Sequence, residues 1–167
     1  IDIVFKLLFS RAGCEDLLIS LLTAVLCPRV PIEAVTVLNP ELDKDAVKDR
    51  GVVLDIRVRL RDGSQVDVEM QADKRAGTRK RALYHWARLY GWQIVRGEQF
   101  AALQPCVCIF VLGYRELPSS RFHSTFRVLE VHDHELLGEQ LELHMVELPK
   151  LPESGTPERA QEPKLAD

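Results

Sequence analysis

The 167-residue chain contains no CxxC pair, and its four cysteines, Cys14, Cys27, Cys106 and Cys108, form no dense framework. They read as reduced thiols of a cytoplasmic protein, with neither a disulfide scaffold nor a zinc site. A long hydrophobic run is also missing. The nearest approach, Leu17 to Cys27, is too short to span a membrane and too far inside to be an export signal, so it reads as a core helix. The net charge of -3 gives no chain-wide attraction for a polyanion, and any nucleic-acid surface has to be local. No methionine starts the chain, from which a trimmed N-terminus is expected, and no internal repeat is visible. What is present is globular: 46% hydrophobic and 28% charged residues, enough for one core of ordinary size.

The most informative stretch is VVLDIRVRLRDGSQVDVEMQ, Val52 to Gln71. Leu54, Ile56, Val58 and Leu60 alternate with polar residues, as do Val66, Val68 and Met70, which predicts two half-buried strands. A three-residue loop of Arg61, Asp62 and Gly63, with Gly63 left-handed, sets Val58 opposite Val66 and Ile56 opposite Val68. The same register pairs Arg57 with Asp67 and puts Asp55 directly opposite Glu69, with Gln71 further along that face. A two-residue turn would mix the faces. Opposed residues have Cβ atoms roughly 4.5 to 5.5 Å apart, where like charges repel. A hard cation such as Mg²⁺ would neutralise the pair; the alternative is a solvated polar face on which the two carboxylates splay toward water or Arg57.

Elsewhere, Ile1 to Phe9 reads as an amphipathic helix carrying Asp2 and Lys6 at i, i+4 spacing, and Glu15 to Leu26 as an apolar helix stopped by Pro28. Ile32 to Leu38 reads as a strand and Glu41 to Arg50 as a charged loop. Between Asp73 and Glu98, seven Lys or Arg stand against two acids. Within it, Arg79 to Arg96 reads as a helix capped by Gly97, with Leu83, Trp86 or Ala87, Tyr90 and Ile94 on the buried side and Arg81, Tyr84, His85 and Arg88 on another. Such a segment suits phosphate-backbone contacts, and equally a solvated face. Tyr84 could stack on a base or pack in the core. Cys106 to Leu112 (CVCIFVL) is a strand buried on both faces. Phe122 to Val131 reads as a strand, His134 to Gln140 as a helical turn or two, and Leu141 to Leu148 as a final strand. From Pro149 the composition turns Pro-rich and polar, which divides the chain into a domain at 1–150 and a tail or linker at 151–167.

Five segments in order, IDIVFKLLF at Ile1 to Phe9, LNPEL at Leu38 to Leu42, VVLDIRV at Val52 to Val58, VEMQ at Val68 to Gln71 and RALYHWARLYGWQ at Arg81 to Gln93, resemble the PD-(D/E)XK nuclease family transposases, also described as recombination-promoting nucleases. The resemblance implies an α/β fold with a restriction-endonuclease-like core, a central mixed β-sheet flanked by helices. It implies a Mg²⁺-dependent DNA endonuclease, Mn²⁺ being an alternative ion, that hydrolyses phosphodiester bonds with little sequence specificity in recombination or transposition. Asp55 and Glu69 would be metal ligands and Asp2 an additional acid. Gln71 stands where the wider superfamily usually has lysine: it can orient a water or a phosphate oxygen but brings no charge, which Lys6 or the basic segment would supply. Lys6, Arg79, Lys80, Arg81 and Tyr84 are the expected DNA contacts, and a homodimer would suit double-strand cleavage. The competing reading, argued from Gln71, is a DNA-binding or assembly module that kept the fold and lost turnover; a third is a structural domain of a larger transposase-like protein.

Overall fold

The computed structural model describes Phe9 and residues 13–38 and 56–152. The first predicted helix up to Leu8, the LNPEL segment past Leu38, the charged loop and the tail from residue 153 lie outside the described residues, as do Asp2, Lys6 and Asp55. Helix α1 (Glu15–Leu26) matches the predicted span. Glu15 and Asp16 sit in its first turn, where carboxylates favour the helix dipole. It ends at Cys27, left-handed at φ 44°, whose N–H reaches Thr23 O, and Pro28 bars continuation.

Six strands follow: β1 (Val35–Leu38), β2 (Ile56–Leu60), β3 (Gln65–Gln71), β4 (Cys106–Leu112), β5 (His123–Phe126) and β6 (Leu141–Glu147), with helix α2 (Thr78–Gly91) between β3 and β4. They make one mixed sheet in the order β1-β2-β3-β4-β6-β5. The β1-β2 and β2-β3 pairs are antiparallel, β3-β4 and β4-β6 parallel, and β5-β6 antiparallel. The hairpin register is the expected one, with Ile56 opposite Val68, Arg57 opposite Asp67 and Val58 opposite Val66. Leu60 N–H bonds Ser64 O across the three-residue loop, and Gly63 takes φ +90°. One face of the sheet packs Val58, Val66, Val68 and Ile109 against Leu18, Leu22 and Val25 of α1. The other packs Cys108, Phe110, Leu143 and Met145 against Ala82 and Leu89 of α2. The result is an α/β fold consistent with a restriction-endonuclease-like core.

Several expectations change, the first being that β1 begins at Val35 rather than Ile32. Strand β3 is buried along its whole length rather than half-buried, because α2 covers the face carrying Gln65, Asp67, Glu69 and Gln71. Helix α2 stops at Gly91, short of Arg96: Trp92 closes it, its ring lies under the Arg88 guanidinium at 4.2 Å, and the Gln93 side-chain amide bonds both backbone groups of Gln104, Nε2 donating to its O and Oε1 accepting from its N–H, which draws the chain out of the helix. Its buried positions are Thr78, Ala82, His85 and Leu89, while Leu83 is exposed. The predicted helical turn after His134 is instead part of a small hairpin. Leu129 bridges Leu136, the Glu130 carboxylate accepts the His132 and Asp133 N–H groups, and His134 is left-handed. Strand β5 ends at Phe126, short of Val131, where that hairpin begins.

Candidate active site

Alternation along β3 sends Asp67, Glu69 and Gln71 to the face that α2 covers, and the i, i+4 spacing of Arg81 and His85 puts both above them. Glu69 is 2% exposed, yet both carboxylate oxygens are engaged. Arg81 NH2 lies 2.6 Å from Oε1, which also accepts Gln71 Nε2 at 2.8 Å, and His85 Nδ1 lies 2.9 Å from Oε2. His85 Nδ1 is also 3.6 Å from Asp67 Oδ2, and its ring stands edge-on to Phe110 of β4 with centroids 5.8 Å apart.

Burial alone would push the Glu69 carboxyl up, but the hydrogen bond and charge of His85, the Gln71 amide and the Arg81 guanidinium together hold it below its ordinary value. Burial works against a charged His85 as well; the attraction of the Asp67 and Glu69 carboxylates beside it overcomes this and raises the imidazole to about 9. Glu69 is therefore a buried carboxylate held ionised by His85 and Arg81, with Asp67 beside the same imidazole.

Gln71 is fixed from its far side. Tyr114 Oη donates to Gln71 Oε1 at 2.8 Å and lies 2.8 Å from Thr78 Oγ1 at the start of α2. Burial, with Glu116 and Glu69 nearby, holds the Tyr114 phenol above its ordinary pKa despite the Thr78 hydrogen bond. Tyr114 reaches this position because Gly113 N–H bonds Gln71 O at 2.8 Å, an approach open only to glycine: a Cβ there would meet Ala72 O at 2.6 Å.

A cavity of about 80 Å³ opens beside Glu69, between Gln71, Asp73, Arg75 and Arg81. Beside the Arg75 and Arg81 guanidinium groups, its two carboxylates and an amide are hard oxygen ligands of the kind a divalent cation such as Mg²⁺ takes, so these oxygens fit one. They supply part of a shell, since among the described residues no group of three His, Cys, Asp or Glu side chains is arranged to hold a metal ion. Asp55, the residue expected to complete it, lies outside the described residues.

Of the expected DNA contacts, Lys80 and Tyr84 are exposed, whereas Arg79 is tied to the loop after β4, with Nε 3.3 Å from Glu116 Oε1 and NH2 bonding Glu116 O. Lys74 joins the same clamp, 3.9 Å from Glu116 Oε2. Arg81 points into the site rather than away from it. The residues not singled out from sequence are Asp67, His85, Thr78 and Tyr114. Asp67 and His85 had a signal, two-residue spacing from Glu69 and four-residue spacing from Arg81. Tyr114, 43 positions from Gln71, had none.

The family described as PD-(D/E)XK nuclease family transposase matches residues 1–165. The chain belongs to this family. Membership points to a nuclease or transposition role with DNA as the substrate, and nucleases of the PD-(D/E)XK type generally use divalent metals. No curated protein and no solved structure matches the chain. Among the described residues no helix is long and apolar enough to cross a membrane.

Proposed function

We propose that this PD-(D/E)XK family member is a Mg²⁺-dependent DNA endonuclease, with Mn²⁺ as an alternative ion, that hydrolyses phosphodiester bonds with little sequence specificity during recombination or transposition. The observation that carries the reading is Glu69, a buried and ionised carboxylate beside a small cavity lined by Gln71, Asp73 and two arginines, in a chain that the family covers almost entirely. Asp55 and Glu69 would hold the cation, with Asp2 as a third acid. When bound, it would supply Lewis acidity toward the scissile phosphate and a water acidified for attack.

The chain's own residues do the rest. Arg81 brings positive charge to the place where lysine is usual, within reach of the charge that develops on the phosphate. Gln71 orients Glu69 through its amide. His85 keeps Glu69 ionised from beneath. Lys6, Arg79, Lys80, Arg81 and Tyr84 form the proposed DNA surface, read through the backbone and hence weakly specific. A cytoplasmic setting and a homodimer complete the proposal.

A second reading, a DNA-binding or assembly module without turnover, is favoured by one observation: Arg81 and His85 already compensate Glu69. Plasmid nicking with Mg²⁺ or Mn²⁺ separates the two. Wild type should nick, and Asp55→Ala and Glu69→Ala should not; equal rates in all three would remove the proposed site.

A further inference from the structure

The hydrogen bonds behind Gln71 do not balance in protons. Tyr114 Oη lies 2.8 Å from Gln71 Oε1 and 2.8 Å from Thr78 Oγ1, and Thr78 Oγ1 lies 3.0 Å from Arg75 O. Three contacts each need a proton, and the two hydroxyls carry one apiece. With its oxygen toward Tyr114, the Gln71 amide has none to give. Turned over, the amide would supply the missing proton: Nε2 donates to Tyr114, Tyr114 to Thr78, and Thr78 to the Arg75 carbonyl.

What holds the amide in its present sense is the other side. Gln71 Nε2 donates to Glu69 Oε1 at 2.8 Å, and a bond to a carboxylate outweighs one between neutral groups. Reversal would set two oxygens against each other across that distance, tolerable only with additional positive charge on both. The cavity lined by Glu69, Gln71 and Asp73, together with Arg75 and Arg81, is where such charge would enter.

We propose that Gln71 is a reversible amide whose oxygen turns to a divalent cation held at Glu69, and that Tyr114, with Thr78, is the positioning residue that receives the displaced NH2. Hydroxyls suit this task because each can exchange its donor and acceptor roles by rotation, which a lysine at position 71 could not use. The inference rests on the cation reading of Glu69 and deepens it by giving the missing lysine's position a ligand role.

The test titrates Ca²⁺ into the full chain, by calorimetry and by NMR of the Gln71 side-chain amide, assigned by its loss in Gln71→Leu. On adding Ca²⁺, the Gln71 amide protons should gain cross-relaxation with the Tyr114 ring. Tyr114→Phe removes one hydrogen bond from the present arrangement and two from the reversed one, so it should weaken Ca²⁺ binding about tenfold. Thr78→Val should weaken it in the same direction. Amide protons that never approach the Tyr114 ring, or a Tyr114→Phe affinity equal to wild type, would overturn the reversal. Glu69→Gln separates the two levels. If it binds Ca²⁺ like wild type, or if the wild type binds none, the cation reading fails and the reversal with it. If it abolishes binding while Tyr114→Phe does not, the reversal alone fails.

Discussion

Glu69 and Arg81 meet at 2.6 Å on the carboxylate oxygen that also accepts the Gln71 amide. The charge absent from β3 at position 71 thus arrives from α2, one layer above the sheet. If that charge acts on the reacting phosphate, Arg81→Ala should slow nicking about 100-fold, and Arg81→Lys should restore part of the rate. Lysine restores charge without the planar fork, so recovery should be incomplete. A wild-type nicking rate in Arg81→Ala would show that the guanidinium serves only to compensate Glu69.

His85 is the other cation on Glu69, and unlike Arg81 it is sealed from solvent at 2% exposure. Replacing it with leucine leaves Glu69 to Arg81 and the Gln71 amide and removes the imidazole from Asp67. Breaking a buried pair from one side costs about 3 to 5 kcal/mol, and the retained Arg81 contact places His85→Leu near the lower end. Urea unfolding followed by circular dichroism gives the number. A loss below about 1 kcal/mol would mean that the carboxylates are compensated without the imidazole.

What the sequence made legible follows from which forces leave a periodic trace. The β2-β3 register was readable because apolar residues alternate on both strands and Gly63 has one comfortable loop position. Helix α1 was readable because its leucines recur at helical spacing and Pro28 ends it. The full burial of β3 was not: its polar face is covered by a helix whose matching surface is itself polar, Arg81 and His85, and charge pairing across layers has no period. Tyr114 was invisible for a different reason. Its place beside Gln71 depends on a parallel strand pair and a glycine just past its end, neither of which marks a tyrosine as part of a site.

Gly113 yields a sharper test than its neighbours because the obstacle is backbone. An alanine Cβ would lie 2.6 Å from Ala72 O, so the ends of β3 and β4 must separate and the Gly113 N–H bond to Gln71 O must lengthen. Gly113→Ala should cost about 1 to 3 kcal/mol, and hydrogen exchange at residue 113 should quicken beyond the global change. Unchanged stability with unchanged exchange would show that the strand ends yield freely.

The far edge of the sheet carries a pH-dependent feature independent of Glu69. His144 Nε2 lies 2.7 Å from Glu142 Oε1, so that nitrogen carries the proton and Nδ1 is left to accept from His123 Nε2 at 2.8 Å. Thr125 Oγ1 stands 3.4 Å from the same Nδ1, and Arg127 holds the other Glu142 oxygen. Burial first, and then the neighbouring His144, lower the His123 imidazole to about 4, against a partial opposing pull from Glu142. Between about 6.5 and 4 the unfolded chain therefore binds a proton on His123 that the folded chain refuses. Stability falls as pH drops through that window, and below it this group adds no further loss. The effect is bounded by about 3 kcal/mol and reduced by solvent around the partly exposed ring. Carboxylates also titrate there, so the measurement is a difference: the unfolding free energy of wild type and of His123→Gln from pH 7 to pH 4. The wild type should lose more over this range, and parallel curves would assign the whole acid response to other groups.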